Sequence, residues 1–305
     1  MSMVQSGTQV SLKNILFLTD FSQASEGALP FAVSIARGYG AKVCALHISI
    51  PAPYICTTPE LTTAAIEADE ENSKLEMERV EARLNTLAHE IIIERGTTVW
   101  PIVERTVIDH DIDLIVLGTH GRTGAEKLLM GSVAEEIFRQ SPVPVLTIGP
   151  NVHGGAHSAG RFHRVLFATD FAPASVAAAP YAVSFAQENH AALVLLHVIR
   201  RPREGGNNEQ RARFELSVAE AIHHLYETVP DDASLDRPPE VAVEYGDAAE
   251  RIVESSSRRG ADLIVLGVRD RAGHISAATH LGRATAHKVV AHATCPVLTV
   301  RGANS

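Results

Sequence analysis

The chain repeats itself, and that repeat sets most of what it can fold into. Asn14 to Phe21 (NILFLTDF) recurs as Arg164 to Phe171 (RVLFATDF), and Val43 to Ile48 is echoed by Val194 to Val198. Asp113 to Gly118 (DLIVLG) returns unchanged as Asp262 to Gly267, and Pro144 to Ile148 (PVLTI) as Pro296 to Val300 (PVLTV). A period of roughly 150 residues is too long for a solenoid and suits a duplicated domain. The boundaries expected are residues 1–150, a linker at 151–162 and a second domain at 163–305. Gly154, Gly155, Ser158 and Gly160 fall in that linker, which has no apolar period.

Within each copy the apolar runs are short, continuous and rich in Val, Ile and Leu, the pattern of strands buried on both faces of a parallel sheet. Helical segments separate them. Leu29, Ala32, Val33 and Ala36 form a stripe ahead of Gly38 and Gly40, which suit a helix stop. Leu61 to Ile92 reads as a long charged helix with Val80, Leu84 and Leu87 on one side, running into a strand near Glu90 to Glu94. A helix follows Gly96 and ends near His110. In the second copy a strand at Val241 to Tyr245 and a helix to about Arg259 repeat the order. Alternating strands and helices imply parallel βαβ units. The expected fold is α/β: two tandem open-sheet domains, each a mostly parallel five-stranded sheet with helices on both faces, Rossmann-like and adenine nucleotide alpha hydrolase-like. Ligands in such sheets bind beyond the carboxyl ends of the strands.

One loop carries the chemistry. Gly118 ends an apolar strand, and the sequence continues Gly118-x2-Gly121-x9-Gly131-Ser132 before a helix through Val133 to Gln140. Glycine lets a backbone approach an anion closely, and a helix start offers free N–H groups and a favourable dipole. Asp20, ending the first strand, is placed to reach a sugar or base. No GxxxxGK[ST] run is present, so this is not a Walker-type loop.

On these residues each half resembles a universal stress protein domain, and the whole chain resembles a tandem universal stress protein. The family's Gly-x2-Gly-x9-Gly-Ser/Thr signature is matched in full by Gly118, Gly121, Gly131 and Ser132, with Asp20 in the expected Thr-Asp pair. The resemblance implies ATP as ligand, with Mg2+ held mainly by the phosphates. Adenine and ribose would lie near Thr19, Asp20 and the backbone of Ile48. Leu117, Gly118, Thr119, His120, Gly121 and Arg122, with Gly131, Ser132 and Val133, would surround the phosphates. It also implies that the halves pack through their terminal strands, and it leaves room for a homodimer. The second copy departs from the signature: Asp270 stands where a glycine is expected, the spacing lengthens to Gly282, and Arg283 replaces the serine. A carboxylate there opposes a polyphosphate, although Arg269, Arg271 and Arg283 offset it. ATP is expected in the first half only.

The net charge of −9 argues against nucleic acid and anionic membranes as partners. The start lacks a signal-peptide pattern and no apolar run approaches a membrane span, which points to the cytoplasm. Cys44, Cys56 and Cys295 show no CxxC spacing and read as core or loop thiols. Fifteen histidines invite metal binding, yet His153, His157 and His163 read as linker residues, His223 and His224 as surface, and His280, His287 and His292 as surface or packed helix positions. His47 and His197, at matching strand positions, read as structural. Asp109, Asp111 and Asp113 read as a solvated helix end rather than a calcium loop. No metal ligand and no catalytic residue is assigned. Three functions stay open: a nucleotide-dependent regulator of the stress response acting on an unknown protein partner, a slow ATP hydrolase or phosphotransferase using the same site, where apart from Arg122, Lys127 and His120 no catalytic set is evident, and a chaperone-like module with structural nucleotide.

Overall fold

In a computed structural model, residues 10–50, 59–119, 130–152, 161–199, 208–268 and 277–302 are described. His120, Gly121, Arg122 and Lys127 of the loop, most of the linker, Cys56, and Arg269 to Arg271 lie outside them. Two compact units emerge, with main spans Ser11–Ile148 and Arg161–Ser305.

The first unit runs β1 (Asn14–Thr19), α1 (Gln23–Tyr39), β2 (Lys42–Ser49), α2 (Pro59–Leu84), β3 (His89–Arg95), α3 (Trp100–Asp109), β4 (Leu114–Gly118), α4 (Ser132–Gln140) and β5 (Val145–Ile148). β1 pairs in parallel with both β2 and β4, so the chain leaves β1 in opposite directions at a topological switch point. The apolar runs behave as read: Ile15, Leu16, Phe17, Leu114, Ile115 and Val116 are all buried. α1 stops at Gly40, whose φ of 66° suits a glycine and whose N–H bonds the Ala36 carbonyl. α2 buries Ser73, Met77, Val80 and Leu84, a stripe at helical spacing. It ends at Leu84 rather than near Ile92. Leu87 donates its N–H to the Leu84 carbonyl in the closing turn, and the isoleucines that follow go into β3.

The second unit runs β6 (Arg164–Ala168), α5 (Pro173–Val176), α6 (Ala179–Asn189), β7 (Ala192–Ile199), α7 (Asn208–Glu227), β8 (Glu240–Tyr245), α8 (Ala248–Arg259), β9 (Leu263–Val268), α9 (Ala277–His292) and β10 (Val297–Arg301). Its parallel pairings repeat those of the first, β6 lying between β7 and β9. The expectation of two separate five-stranded sheets is corrected: the ten strands form one sheet in the order β3-β2-β1-β4-β5-β10-β9-β6-β7-β8. The repeat identifies the strands of each copy, but not what satisfies the open N–H and C=O groups of an edge strand, and that decides where a sheet stops.

Asp113 is not part of a merely solvated helix end. Its carboxylate accepts the backbone N–H groups of Lys13 at 2.7 Å and Asn14 at 3.0 Å, pinning the start of β1. Asp262 does the same for His163 and Arg164 at the start of β6. Cys295 is buried, and burial pushes its thiol up to about 12. No helix among the described residues is long and apolar enough to cross a membrane.

Candidate functional site

The turn leaving β1 is held from four sides. Phe21 adopts φ 62°, a left-handed conformation that a bulky side chain normally avoids. Its N–H donates to Thr19 Oγ1 at 3.0 Å, and the Ser22 N–H donates to Asp20 Oδ1 at 3.0 Å. Buried His47, one strand over on β2, donates from Nδ1 to the Thr19 carbonyl at 2.9 Å, and its ring lies 4.2 Å from that of Phe21. This bond fixes the proton on Nδ1. The second unit repeats the device: Phe171 has φ 61°, its N–H donates to Thr169 Oγ1, and His197 Nδ1 donates to the Thr169 carbonyl at 2.8 Å. The two histidines are therefore structural. Either His47→Ala or His197→Ala is expected to cost its own domain about 1–3 kcal/mol, through the lost bond and the released turn, as read by urea unfolding. Unchanged stability would mean that the bond holds nothing.

Beyond this turn, at the carboxyl ends of β1, β2 and β4, lies a cleft of about 230 Å³. One side is apolar, with Leu18, Leu46, Ile48, Ile50 and Val99; the other is Gly118, Thr119 and the first turn of α4 from Ser132 to Ala134. Ile50 is 50% exposed and Val133 39%, so both offer apolar surface to the cleft they line. Thr119 ties the loop base together, donating its N–H to the Ile148 carbonyl while its own carbonyl accepts the Gly131 N–H at 2.7 Å. α4 then starts with Gly131 as N-cap and no side-chain capping bond. The N–H groups of its first turn, together with the positive end of the helix dipole, make a site for an anion.

The two described glycines of the loop each have a local reason. Gly131 has φ −59° and ψ 150°, which any residue adopts, so what it contributes is the absence of a side chain at the cap. A Cβ on Gly118 would lie 2.5 Å from the backbone carbon and oxygen of Ala24. Gly118 is there because α1 crosses the end of β4 at backbone contact.

In the second unit the corresponding cleft is about 120 Å³. It keeps Thr169, Asp170, Ser175 and Gly267, but Ala168 and Ala248 occupy its wall. Ser175 Oγ donates to Asp170 Oδ1 at 2.5 Å, engaging that carboxylate within the protein. α9 has 16 residues against nine in α4. The extra seven, about 10 Å of helix, place Gly282 and Arg283 inside a helix instead of at its start. Thr285 and Ala286 of the helix body line this cleft where the first unit presents a helix end.

A sequence profile of the Universal stress protein family matches residues 11–149 and again residues 161–301. The chain belongs to the universal stress protein family. It is 27% identical over 312 residues to a universal stress protein of Mycolicibacterium smegmatis, covering 98% of this chain and 99% of that one. A universal stress protein of Methanocaldococcus jannaschii is 28% identical over 151 residues, 48% of this chain and 87% of the relative. A solved universal stress protein from Archaeoglobus fulgidus shares the fold at TM-score 0.64 and 22% identity, over 96% of this chain and 98% of that one. This member of the family is thus a tandem of two universal stress protein domains.

Of the residues expected at the ligand, Thr19, Asp20, Ile48, Leu117, Gly118, Gly131, Ser132 and Val133 all line the first cleft. His120, Gly121 and Arg122 lie outside the described residues. Thr119, within the expected run Leu117 to Arg122, lines it too; sequence reasoning missed Leu18, Ser25, Leu46, Ile50, Val99, Ala134 and Ile137. Ser25 was findable, since Ser22 caps α1 by accepting the Ser25 N–H and Ser25 Oγ sits 3.1 Å from Thr19 Oγ1.

Proposed function

We propose that this chain is a nucleotide-dependent regulator that holds one ATP, with Mg2+ carried mainly by the phosphates, in the cleft of its first domain. One observation supports this most: an apolar wall suited to a purine faces an uncapped helix N-terminus suited to phosphate, at a sheet's topological switch point. Asp20 is the ionisable side chain among the described residues of that lining, placed for a ribose hydroxyl. Phosphoryl transfer would need positioned cations and a group that orients the nucleophile, and our reading is of binding rather than efficient turnover. Hydrolysis is slow at most. Occupancy biases one conformation or assembly, to which a protein partner responds.

The test is equilibrium titration of the purified, nucleotide-stripped chain with ATP and magnesium, followed by phosphate release over hours. One ATP per chain, largely intact, is expected, with a change in sedimentation or partner capture between the free and bound forms. No binding at millimolar ATP, or two equivalent sites per chain, would overturn the reading. Multiple turnover would make the protein an enzyme.

A further inference from the structure

A second cluster of reactive groups lies toward the other end of the first domain's sheet, near the amino ends of the strands. β2 and β3 pair with Cys44 directly opposite Glu90, so the two side chains stand side by side on one face. His110, which caps the carboxyl end of α3, comes down beside them, its Nδ1 3.3 Å from Glu90 Oε2. The Cys44 sulfur, a Glu90 oxygen and a His110 ring nitrogen all lie within 4.8 Å of one another. Cys44 is fully buried, while Glu90 and His110 reach solvent with 38% and 28% of their side chains exposed.

We propose that Cys44, Glu90 and His110 form a binding site for one borderline-soft divalent cation, zinc or a metal of the same ligand preference. Thiolate, imidazole and carboxylate are the donors such an ion selects, and three protein ligands leave a fourth position open to water. Bond lengths of about 2.0–2.3 Å separate tetrahedral donors by roughly 3.3–3.8 Å, so the cluster closes by about 1 Å on binding. Glu90, on the outermost strand, and His110, at a helix end, have the freedom to supply that movement. On binding, the Cys44 S–H bond breaks, a sulfur–metal bond forms and the proton leaves to solvent. Burial holds the thiol in its protonated form when no metal is present. Glu90 is meanwhile bonded by Lys42 at 2.6 Å. That ion pair is about 40% exposed on each side and of the kind that contributes little. Lys42 can keep one carboxylate oxygen while the metal takes the other. Nothing in this arrangement draws on the nucleotide cleft.

Titration of the nucleotide-free full chain with cobalt(II) tests the proposal. Expected is saturable binding of one cobalt per chain, with a thiolate-to-cobalt charge-transfer band in the near ultraviolet that one equivalent of zinc removes. Cys44→Ser should abolish the band with the far-ultraviolet dichroism unchanged. His110→Gln, at a partly exposed position that tolerates it, should weaken binding by about a hundredfold or more, since loss of even an outer partner of a metal ligand costs about 10–100-fold. Absence of saturable binding, a band that survives Cys44→Ser, or unchanged affinity in His110→Gln would overturn it.

Discussion

Gly118→Ala is expected to destabilise the first domain by about 3 kcal/mol or more, and Gly267→Ala to do at least as much to the second. Two effects oppose each other. Alanine restricts the unfolded chain and, at a compatible φ, would stabilise by about 0.4–1 kcal/mol. Against that, the new Cβ would sit 2.5 Å from the backbone carbon and oxygen of Ala24 and 2.9 Å from the Ser25 nitrogen. Backbone cannot rotate away as a side chain does, so α1 must lift from β4. At Gly267 the backbone of Ala174 and Ser175 comes closer still. The clash exceeds the entropic gain, and the sign is destabilising. The second domain supplies an internal control, because it keeps this glycine without keeping the loop signature after it. Equal losses in both domains, read as shifts in urea or thermal unfolding, assign Gly118 to helix–strand packing. A Gly118→Ala chain of unchanged stability that no longer binds ATP would return the glycine to the ligand.

That control also shows what the sequence could and could not convey. The strands were legible because runs such as Leu114 to Leu117 are apolar on both faces and occur twice. Of the lining residues, Asp20 and Gly118 followed from their places at strand ends, whereas Thr19 and Ile48 came only with the family resemblance. Val99 was invisible: it precedes α3 outside any periodic segment and reaches the cleft only through tertiary folding. The purpose of Gly118 was hidden for the same reason, since the Ala24 backbone that forbids a side chain lies nearly a hundred residues earlier. The second domain's departure was visible as altered spacing, but its physical form, a helix that starts at Ala277 and carries Gly282 and Arg283 within it, is a property of where a helix begins. The single ten-stranded sheet depends on edge pairing, which no pattern internal to one copy encodes. The Cys44, Glu90 and His110 cluster was equally silent, its members belonging to two strands and a helix end with no spacing in common.

Ser132→Asp separates phosphate binding from fold stability by giving the two opposite signs. Ser132 is the first residue of α4, exposed at the cleft and next to a cap without a side chain. A carboxylate in the first turn interacts favourably with the helix dipole, by about 0.3–1 kcal/mol, so the domain should unfold no more readily than before. The same carboxylate occupies the place proposed for phosphate. Two unit charges about 4 Å apart at an effective dielectric near 20 repel by about 4 kcal/mol. Halving this for the partial exposure of the site leaves about 2 kcal/mol, or roughly thirtyfold in affinity. ATP affinity measured by calorimetry should therefore fall at least about thirtyfold, while adenosine, which carries no phosphate charge, should bind nearly as it does to the unaltered chain. The ratio of the two affinities is the decisive quantity. If both ligands are lost together, the substitution has disturbed the cleft, and the loss says nothing about charge. If ATP binds undiminished to a stable Ser132→Asp chain, the start of α4 does not hold the phosphates, and the orientation proposed for the nucleotide is wrong even though the cleft is right.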